Sequence, residues 1–499
     1  MSYPCVMSYT SNGSAKNHVG HQLTIQPPKP RDSAVKDGYV IFKNSDNLEL
    51  RAVLTHMARH SASFELYAPD AVLSTSEVLR EFSIHFQGQV VYSGQAVIEN
   101  LMAIGATMVC KALLNGTHWP RLVTSGLAGN DERLGQMFKD FLGEWQKFYK
   151  ISADFKAVVA DMQTMLKNLQ LWLDQMESEV GGLPVRERSQ TEGRLLEGFG
   201  RLFVPAFDML HERLEAISAQ IDPDLRPAYR VYIQRQLHPL VLCSPFAHRA
   251  YSKPLGYAGD YEMVNMIALD PFQGPTLYAK IVNLWFFSQW PSKAHRNRLR
   301  YLQNLLETET LRVLRWGRKP RIFNFACGPA LEIQKFLSEF NLIEGTELTL
   351  ADFSEETLDH LRRLTSAIKA KRGVRATIHF QRKSVHQIIK ESARSENRPQ
   401  YDVVYCAGLF DYLPDTTCTR MLEIFYNWLA PGGLLAVTNV VDDKPFRHML
   451  EFVLDWHLIY RDVKESHLMF PDSIPLEARS VKKDPTGVNI FLEARKPSE

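Results

Sequence analysis

The sequence predicts three folded parts: a small antiparallel β-barrel, a central α-helical bundle and a carboxyl-terminal α/β domain with a mostly parallel sheet. Its length of 499 residues is about three times the ~150 residues of a typical domain. Apolar residues alternate in short segments before residue 120 and recur at helical spacing between residues 130 and 242. Beyond Arg321, strand-like and helix-like segments alternate, which is the pattern of parallel strands joined by crossover helices.

The composition excludes several classes of protein. Hydrophobic residues make up 45% and charged residues 23% of the chain, values typical of a globular protein. No uncharged apolar run reaches the ~18 residues of a membrane span, so we expect no integral membrane protein. The formal charge of +2, without a long run of like charges, argues against nucleic acid as a partner. Six scattered cysteines, no CxxC pair and no signal-peptide pattern predict a cytoplasmic protein without a metal site.

The first two predicted units are residues 1–35 and residues 36–120. Residues 1–35 are rich in Ser, Asn, Pro and Lys and have no apolar period, so we expect a flexible leader. In residues 36–120, the segments YVIF, LELRAVL, FSIHF and QVVY are short and are separated by Gly, Asn, Asp or Ser. This pattern predicts the small antiparallel barrel.

The third predicted unit, residues 130–242, carries apolar positions at helical spacing. One stripe includes Phe155, Val159, Met162 and Leu166, and a Gly-Gly-Leu-Pro break at residues 181–184 separates it from a second pair of helices. Met and aromatic residues at this spacing are more typical of core packing than of a cofactor site. We therefore predict a helical bundle, and either the bundle or the barrel is the expected contact surface of a homodimer.

The α/β domain, residues 243–499, contains a corner suited to a polar ligand. The strand RIFNF runs into the small residues 326–330 and then into a helix, so a ligand can approach the backbone amides there. The next strand ends at Asp352, whose carboxylate can accept hydrogen bonds from both hydroxyls of a ribose. The spacing lacks the GxGxxG of a dinucleotide site, and Asp352 could alternatively cap the following helix.

Together, the CGP turn, Asp352, the YDVV strand, the L-x-PGG turn and a terminal β-hairpin resemble a class I S-adenosylmethionine-dependent methyltransferase over roughly residues 250–499. The resemblance implies a Rossmann-like domain with a mostly parallel seven-stranded sheet and S-adenosylmethionine as cofactor. It also implies which residues form the cofactor site, by binding the methionine part, the ribose or the adenine or by lining the floor. These residues are Ala326, Cys327, Gly328, Pro329, Asp352, Phe353, Ser384, Val385, Ala407 and Gly408.

The chain departs from this family at several positions. The family usually has an acid where this chain has Asn324, glycine where it has Ala326 and Ala330, and often aspartate in the region of residues 382–384. Alanine can occupy such a turn if its φ angle is negative, so we interpret these positions as variation rather than loss of cofactor binding.

Two further segments are predicted to contact a substrate. The stretch from Ser244 to Ile267 is rich in Gly and Tyr and either closes over a ligand as a helical lid or forms a structural turn. The insertion after the fifth strand is expected to form a substrate roof, with Phe446, Met449 and Phe452 in its wall. The candidate lid and substrate residues are Tyr257, Gly259, Asp260, Tyr261, Trp456, Tyr460 and Arg461.

Both segments are similar to bacterial methyltransferases that make 3-hydroxy fatty acid methyl ester signals, which implies a fatty acid carboxylate as the small-molecule acceptor. A carboxylate is ionised at neutral pH and needs no general base, whereas a hydroxyl or ammonium acceptor needs one. Asp411 and His457 are the candidates for that base. Asp411 could instead cap a helix, and His457 could be a buried helical histidine.

The barrel contains a sequence similar to the PilZ pattern [DN]xSxxG, at Asn100 to Gly105 with Met102 in place of serine. Arg51 and Arg59 lack the second arginine four positions later that PilZ domains use to grip cyclic di-GMP. We therefore predict a degenerate PilZ-like barrel that serves in docking or dimerisation. The alternative function for the whole chain is a signalling scaffold or S-adenosylmethionine sensor without methyl transfer.

Overall fold

A computed structural model describes residues 38–115 except 59, 68–71, 87–88 and 105–106, residues 139, 142–143 and 146, residues 150–394 except 269, and residues 399–498. The predicted leader at residues 1–35 lies outside this range. No helix in the described ranges is long and apolar enough to cross a membrane.

The amino-terminal unit is a closed antiparallel barrel, as the alternation of apolar residues predicts. Its strands follow the spatial order β1-β2-β3-β6-β5-β4, and β1 pairs with both β2 and β4 to close it. Phe42, Phe64 and Phe82 pack against one another in its interior. The strands are β1 (Gly38–Lys43), β2 (Glu49–Ala58), β3 (Ser61–Leu66), β4 (Val78–Phe86), β5 (Gln89–Ile104) and β6 (Thr107–Asn115).

Between the barrel and the sheet, residues 150–315 form seven helices in the described part of the chain. A single hydrophobic core joins helices on both sides of residue 242, the predicted end of the bundle; Phe155, Leu237 and Phe286 all belong to it. Phe246 and Met263 of the predicted lid also belong to this core, so that segment packs with the bundle. These helices are α1 (Ala153–Gly181), α2 (Val185–Ser218), α3 (Arg226–Val241), α4 (Pro245–Ser252), α5 (Tyr261–Ala268), α6 (Leu277–Ser288) and α7 (Trp290–Arg315).

The insertion after the fifth strand of the sheet packs into the same helical core. Arg230 of α3 forms a buried ion pair with Asp455 of the insertion. Glu215 of α2 accepts hydrogen bonds from the backbone N–H groups of His448 and Met449, at 3.0 and 2.8 Å. Buried charge-assisted bonds of this kind are costly to break on one side only, so they fix the insertion on the bundle.

The carboxyl-terminal sheet has seven strands in the order β12-β13-β11-β10-β7-β8-β9. Strands β7 to β11 run parallel to one another, and β13 runs antiparallel to both β11 and β12. This confirms the predicted sheet with its terminal hairpin. The strands are β7 (Arg321–Phe325), β8 (Glu347–Asp352), β9 (Thr377–Arg382), β10 (Tyr401–Cys406), β11 (Leu429–Val440), β12 (Arg479–Lys483) and β13 (Asn489–Arg495).

Helices cover both faces of this sheet, and the strand order reverses between β7 and β10. Ligands of open α/β sheets bind at this point, outside the carboxyl ends of the strands. The fold therefore brings the residues that follow β7, β8 and β10 to one edge. The covering helices are α8 (Leu331–Glu339), α9 (Glu355–Arg372), α10 (Val385–Arg394), α11 (Asp415–Asn427) and the short α12 (Val463–Leu468).

Candidate active site

The turn after β7 differs from its prediction in backbone conformation. Ala326 has a φ angle of +51° and Ala330 one of +43°, so both lie in the left-handed region, and the condition of negative φ on which we accepted alanine in this turn is not met. A left-handed residue with a Cβ costs roughly 1–2 kcal/mol. The tight strand-to-helix turn holds both alanines in this conformation.

Asp352 ties the ends of β7 and β8 together. Its Oδ2 accepts a hydrogen bond of 3.0 Å from the backbone N–H of Gly328, and its Oδ1 accepts one of 3.0 Å from Ser354. Burial raises the pKa of this carboxyl to about 6, although these backbone donors favour the charged form. Helix α9 is capped by the side chain of Ser354, which accepts from the N–H of Thr357, so Asp352 does not act as the cap.

A cavity of about 1340 Å³, including its mouth, opens at this edge of the sheet. Nothing lies within 4 Å of the position that a Cβ would take on Gly328, so the turn faces open space. Every residue that the resemblance implied for cofactor binding lines this one cavity: Ala326, Cys327, Gly328, Pro329, Asp352, Phe353, Ser384, Val385, Ala407 and Gly408.

Part of the predicted lid borders the cavity. Tyr257, Gly259 and Tyr261 line it, and the ring of Tyr257 lies 5.0 Å from the ring of Phe353. Asp260 is not among the lining residues. Its carboxylate instead accepts hydrogen bonds of 2.8 and 2.9 Å from Nε of Arg249, which fixes the start of α5.

Gly259 allows two aromatic side chains to approach the lid. Its φ angle is +73°, and a Cβ at this position would lie 2.9 Å from Oη of Tyr412 and 3.2 Å from the ring of Trp456. Nε1 of Trp456 donates a hydrogen bond of 2.9 Å to that same Oη. Trp456 therefore supports Tyr412, which lines the cavity, from behind.

Helix α7 contributes a basic pair to the cavity wall that the sequence analysis missed. Arg298 and His295 both line the cavity, and Nη2 of Arg298 donates a hydrogen bond of 2.7 Å to Nδ1 of His295. Burial and the charges of Arg298 and Arg296 hold the pKa of His295 well below its ordinary value. The imidazole is therefore neutral, with its proton on Nε2, which is buried and has no hydrogen-bond partner among the described residues.

The same pair lies beside the floor of the predicted cofactor site. Gly408 has a φ angle of +85°, and a Cβ there would lie 3.1 Å from both terminal nitrogens of Arg298. Gly408 is thus the point at which the floor and the basic pair meet.

Helix α8 supplies a second missed residue, the buried Glu332. Its carboxylate accepts hydrogen bonds of 3.1 Å from Nδ2 of Asn324 and 2.8 Å from Oη of Tyr405. Burial raises its pKa. Glu332 lines the cavity next to Asn324, so the helix places an acid beside the strand position where the family usually has one.

Asp411 and His457, the two predicted base candidates, do not line the cavity. Asp411 is buried and its Oδ1 has no hydrogen-bond partner in the described part of the chain. Burial raises its pKa to about 6, and the charges of Arg298 and Arg461 act in the opposite direction. The N-cap of α11 is Pro414, so Asp411 is not its cap. His457 is buried and uses its backbone to bind Ser76 of the barrel.

Tyr460 and Arg461 are also not brought to the cavity. The guanidinium of Arg461 is buried and donates to the backbone carbonyls of Phe410 and Leu413 and to the side chain of Asn439. These bonds explain its position, because they hold the segment before α11 against β11. Phe446, Met449 and Phe452 of the expected roof are buried in the helical core instead.

The barrel forms part of the cavity wall, which nothing in the sequence indicated. Glu77 is buried and accepts hydrogen bonds from the N–H groups of Ser45, at 2.7 Å, and Ser74, at 2.8 Å. It thereby joins the two barrel segments that reach the cavity. The barrel residues lining it are Ser45, Asp46, Val72, Ser74, Thr75 and Glu77.

The comparison with protein families supports this interpretation of the sheet edge. A family model described as a methyltransferase domain matches residues 323–435, from within β7 to within β11. With the observed strand order, this match supports a class I methyltransferase domain in the carboxyl-terminal part of the chain. The cofactor of this class is S-adenosylmethionine, and the open turn at Gly328 and the remaining lone pairs of Asp352 suit it.

Solved structures similar to the chain include three that differ widely in coverage. A "possible exported protein" from Bordetella parapertussis has 17% identity and a TM-score of 0.40, over 62% of this chain and 97% of that chain. Human N-acetylserotonin methyltransferase with S-adenosylmethionine has 17% identity and a TM-score of 0.28, over 43% and 58%. Magnesium protoporphyrin IX methyltransferase from Synechocystis PCC 6803 has 11% identity and a TM-score of 0.29, over 42% and 87%. No curated protein matches the chain in sequence.

Proposed function

We propose that the protein transfers a methyl group from S-adenosylmethionine to the carboxylate of a small-molecule acceptor, a 3-hydroxy fatty acid. The observation that carries this proposal is the basic pair of Arg298 and His295, which lines the cavity beside Gly408. A carboxylate is ionised at neutral pH and forms charge-assisted hydrogen bonds with a guanidinium. The pair therefore suits an anionic acceptor next to the methyl donor.

The cofactor wall, which we define as residues 326–329, 352–353, 384–385 and 407–408, is the part of the cavity assigned to S-adenosylmethionine. We assign the methionine part to residues 326–329, the ribose to Asp352 and the adenine to Phe353 and residues 384–385. The cofactor supplies a methyl group activated by its sulfonium, so an ionised carboxylate gives a methyl ester and S-adenosylhomocysteine without loss of a proton. The protein's own task is to align the acceptor oxygen and exclude water.

We define the acceptor wall as His295, Arg298 and Tyr412. These residues offer hydrogen-bond donors to the acceptor rather than general bases. Nε2–H of His295 and the guanidinium of Arg298 can both donate to a carboxylate. Burial raises the pKa of Tyr412, so its hydroxyl stays protonated at neutral pH. The apolar residues Val264, Leu299 and Leu409 also line the cavity and suit an alkyl chain.

The proposal needs no general base. Asp411 and His457 stay candidates only for an acceptor that must lose a proton, and both lie behind the cavity wall. An ionised carboxylate has no proton to give, so the catalytic contribution of these residues is expected to be small.

A direct test combines the purified protein, methyl-labelled S-adenosylmethionine and 3-hydroxydecanoate. We expect the label in an organic-soluble product that releases labelled methanol on treatment with alkali, because esters are hydrolysed and methyl ethers are not. For the variant Arg298→Gln, the matched control is Arg300→Gln, which removes an exposed arginine two positions away on the same helix.

An alkali-stable product would mean transfer to the hydroxyl group, and label in protein would mean a protein acceptor. Either result would contradict the carboxylate assignment. A cell extract offered in place of the acid then identifies the acceptor fraction directly.

We also propose that the barrel is a degenerate relative of the PilZ domain and binds no cyclic di-GMP. Arg51 lies over the ring of Tyr39, with its guanidinium carbon 3.8 Å from the centroid, and Met102 is exposed where the PilZ pattern has serine. Saturable binding at micromolar cyclic di-GMP would contradict this. A cytoplasmic location and a homodimer through the bundle or barrel stay predictions, which fractionation and sedimentation test.

A further inference from the structure

The segment Val72–Glu77 of the barrel docks against the methyltransferase domain at the cavity. The N–H of Thr75 donates a hydrogen bond of 3.1 Å to the carbonyl of Tyr412, and the N–H of Val78 donates one of 2.8 Å to the carbonyl of Gly256. Both acceptors belong to segments that border the cavity. The barrel therefore contacts the acceptor wall and the lid at the same time.

Ser76 locks this docking in place. It is fully buried, and its hydroxyl donates a hydrogen bond of 2.8 Å to the carbonyl of His457 and accepts one from the N–H of the same residue. Its φ angle of +61° lies in the left-handed region, and the neighbouring residue 75 lines the cavity. A strained residue held by reciprocal hydrogen bonds indicates that the barrel contacts this segment in one specific geometry.

Thr75 is a barrel residue at the cavity whose side chain has unused hydrogen-bonding capacity. Its side chain is 3% exposed, and its Oγ1 has no hydrogen-bond partner among the residues that the structure describes. Thr75 lines the cavity, and its N–H binds the carbonyl of Tyr412, a residue of the acceptor wall. A buried hydroxyl without a partner is unfavourable, so a bound ligand that pairs with it gains affinity.

The charge on the acceptor wall determines what Thr75 can pair with. Arg298 and His295 already offer charged and neutral donors for a carboxylate. A threonine hydroxyl both donates and accepts hydrogen bonds, so it suits a neutral group on the acceptor that also does both. A hydroxyl group carried near the carboxylate fits this requirement.

We propose that Thr75 of the barrel contacts the methyl acceptor and selects acids that carry a hydroxyl group near the carboxylate. This inference rests on the proposed function, because it takes the acceptor to be a carboxylic acid bound at His295 and Arg298. The barrel is then a working part of substrate selection and not only a docking unit.

The test measures binding of 3-hydroxydecanoate and decanoate by calorimetry to the full-length protein saturated with S-adenosylhomocysteine. We expect the wild type to bind the hydroxy acid about tenfold more tightly, which is the usual value of one satisfied buried hydroxyl. Thr75→Val, which keeps the shape and removes the hydroxyl, is expected to bind both acids equally. Thr75→Ser is expected to keep the preference.

The matched control is Thr310→Val, which removes another buried threonine hydroxyl without a partner in the described chain, in α7 and away from the cavity lining. It is expected to keep the wild-type preference. Equal binding of both acids by the wild type, or a preference that survives in Thr75→Val, would overturn the inference alone. A Thr75→Val variant with weakened S-adenosylhomocysteine binding and an intact preference would also overturn it.

The fate of the proposed function is read separately. Preferential binding of the hydroxy acid without formation of a methyl ester would overturn the proposed function, and with it the statement that Thr75 contacts a methyl acceptor, whereas loss of the preference in Thr75→Val would still show that Thr75 selects hydroxy acids. Binding of neither acid by the wild type would overturn both.

Discussion

The two walls of the cavity are built in different ways. The cofactor wall comes from four short segments of one domain, each located at the end of a parallel strand. The acceptor wall and the barrel residue Thr75 come from helix α7, from the segment after β10 and from a barrel more than 200 residues earlier in the chain. The first wall is set by local strand-to-helix turns, the second by how separate units pack.

This difference has a functional consequence. A parallel sheet presents the ends of its strands at one edge whatever surrounds it, so a shared cofactor can be bound by the sheet alone. Acceptors differ between enzymes, and their binding residues come from elements added around the sheet. Changes in the cofactor wall are therefore expected to affect all activity, and changes in the acceptor wall only the choice and affinity of the acceptor.

The largest expected effect is that of Asp352→Ala on the cofactor wall. The substitution removes the acceptor that we propose for two ribose hydrogen bonds at a buried strand end, at an expected cost of about 3 to 6 kcal/mol, or two to four decades in affinity. Calorimetry with S-adenosylhomocysteine measures it. Asp359→Ala, in the first turns of α9 and paired with Arg362 at the surface, is the control and is expected to bind normally. Unchanged affinity in Asp352→Ala would remove the ribose assignment.

The cofactor wall was largely predictable because its signals are local. The turn of small residues after β7 and the acid ending β8 follow from strand ends that can be recognised in the sequence. The sign of φ at Ala326 and Ala330 was not predictable, because composition suggests negative φ and the tight turn imposes the opposite. Local geometry there outweighs the preference of alanine.

The acceptor wall was not predictable, because packing alone distinguishes its residues. Arg296, Arg298 and Arg300 follow one another on α7 with no difference in the sequence pattern. Arg296 donates to the carbonyl of Phe287, Arg300 is exposed, and Arg298 reaches the cavity. The aromatic insertion at residues 446–456 shows the opposite kind of error. Its apolar residues suggested a substrate roof, but they pack mainly into the helical core.

Arg298→Gln is expected to affect the acceptor wall without affecting the cofactor wall. Loss of a charge-assisted hydrogen bond costs about 1.5 to 3 kcal/mol, or roughly 10- to 150-fold in acceptor affinity. The apparent KM for the acid should rise by that factor while the Kd for S-adenosylhomocysteine changes less than threefold. If both constants changed together, the separation between the two walls would be wrong.

The pH dependence of cofactor binding tests the cofactor wall through a smaller expected effect. The folded-state pKa of Asp352, about 6, lies above the ordinary value of 3.8. This group therefore favours the folded state most below pH ~4, and that contribution is lost as the pH rises through 6. Ribose binding needs the ionised form, so affinity for S-adenosylhomocysteine should fall about fivefold between pH 6 and pH 5. A flat profile in the wild type would contradict the assignment, and Asp352→Ala should give a flat one.

The smallest expected effect concerns the strain in the turn of the cofactor wall. Ala330 has φ +43° and ψ +52° at the start of α8, a conformation that glycine adopts without steric cost. Relief of that cost by Ala330→Gly, about 1 to 2 kcal/mol, is partly offset by the greater freedom of glycine in the unfolded chain, about 0.4 to 1 kcal/mol. A net stabilisation of about 0.5 to 1 kcal/mol should appear as a small rise in the thermal midpoint of the methyltransferase domain. Ala250→Gly, inside helix α4, is the control and should lower stability by about 1 kcal/mol. If Ala330→Gly and Ala250→Gly were destabilised alike, Ala330 would be unstrained in its left-handed conformation. The turn of the cofactor wall would then form without a conformational cost.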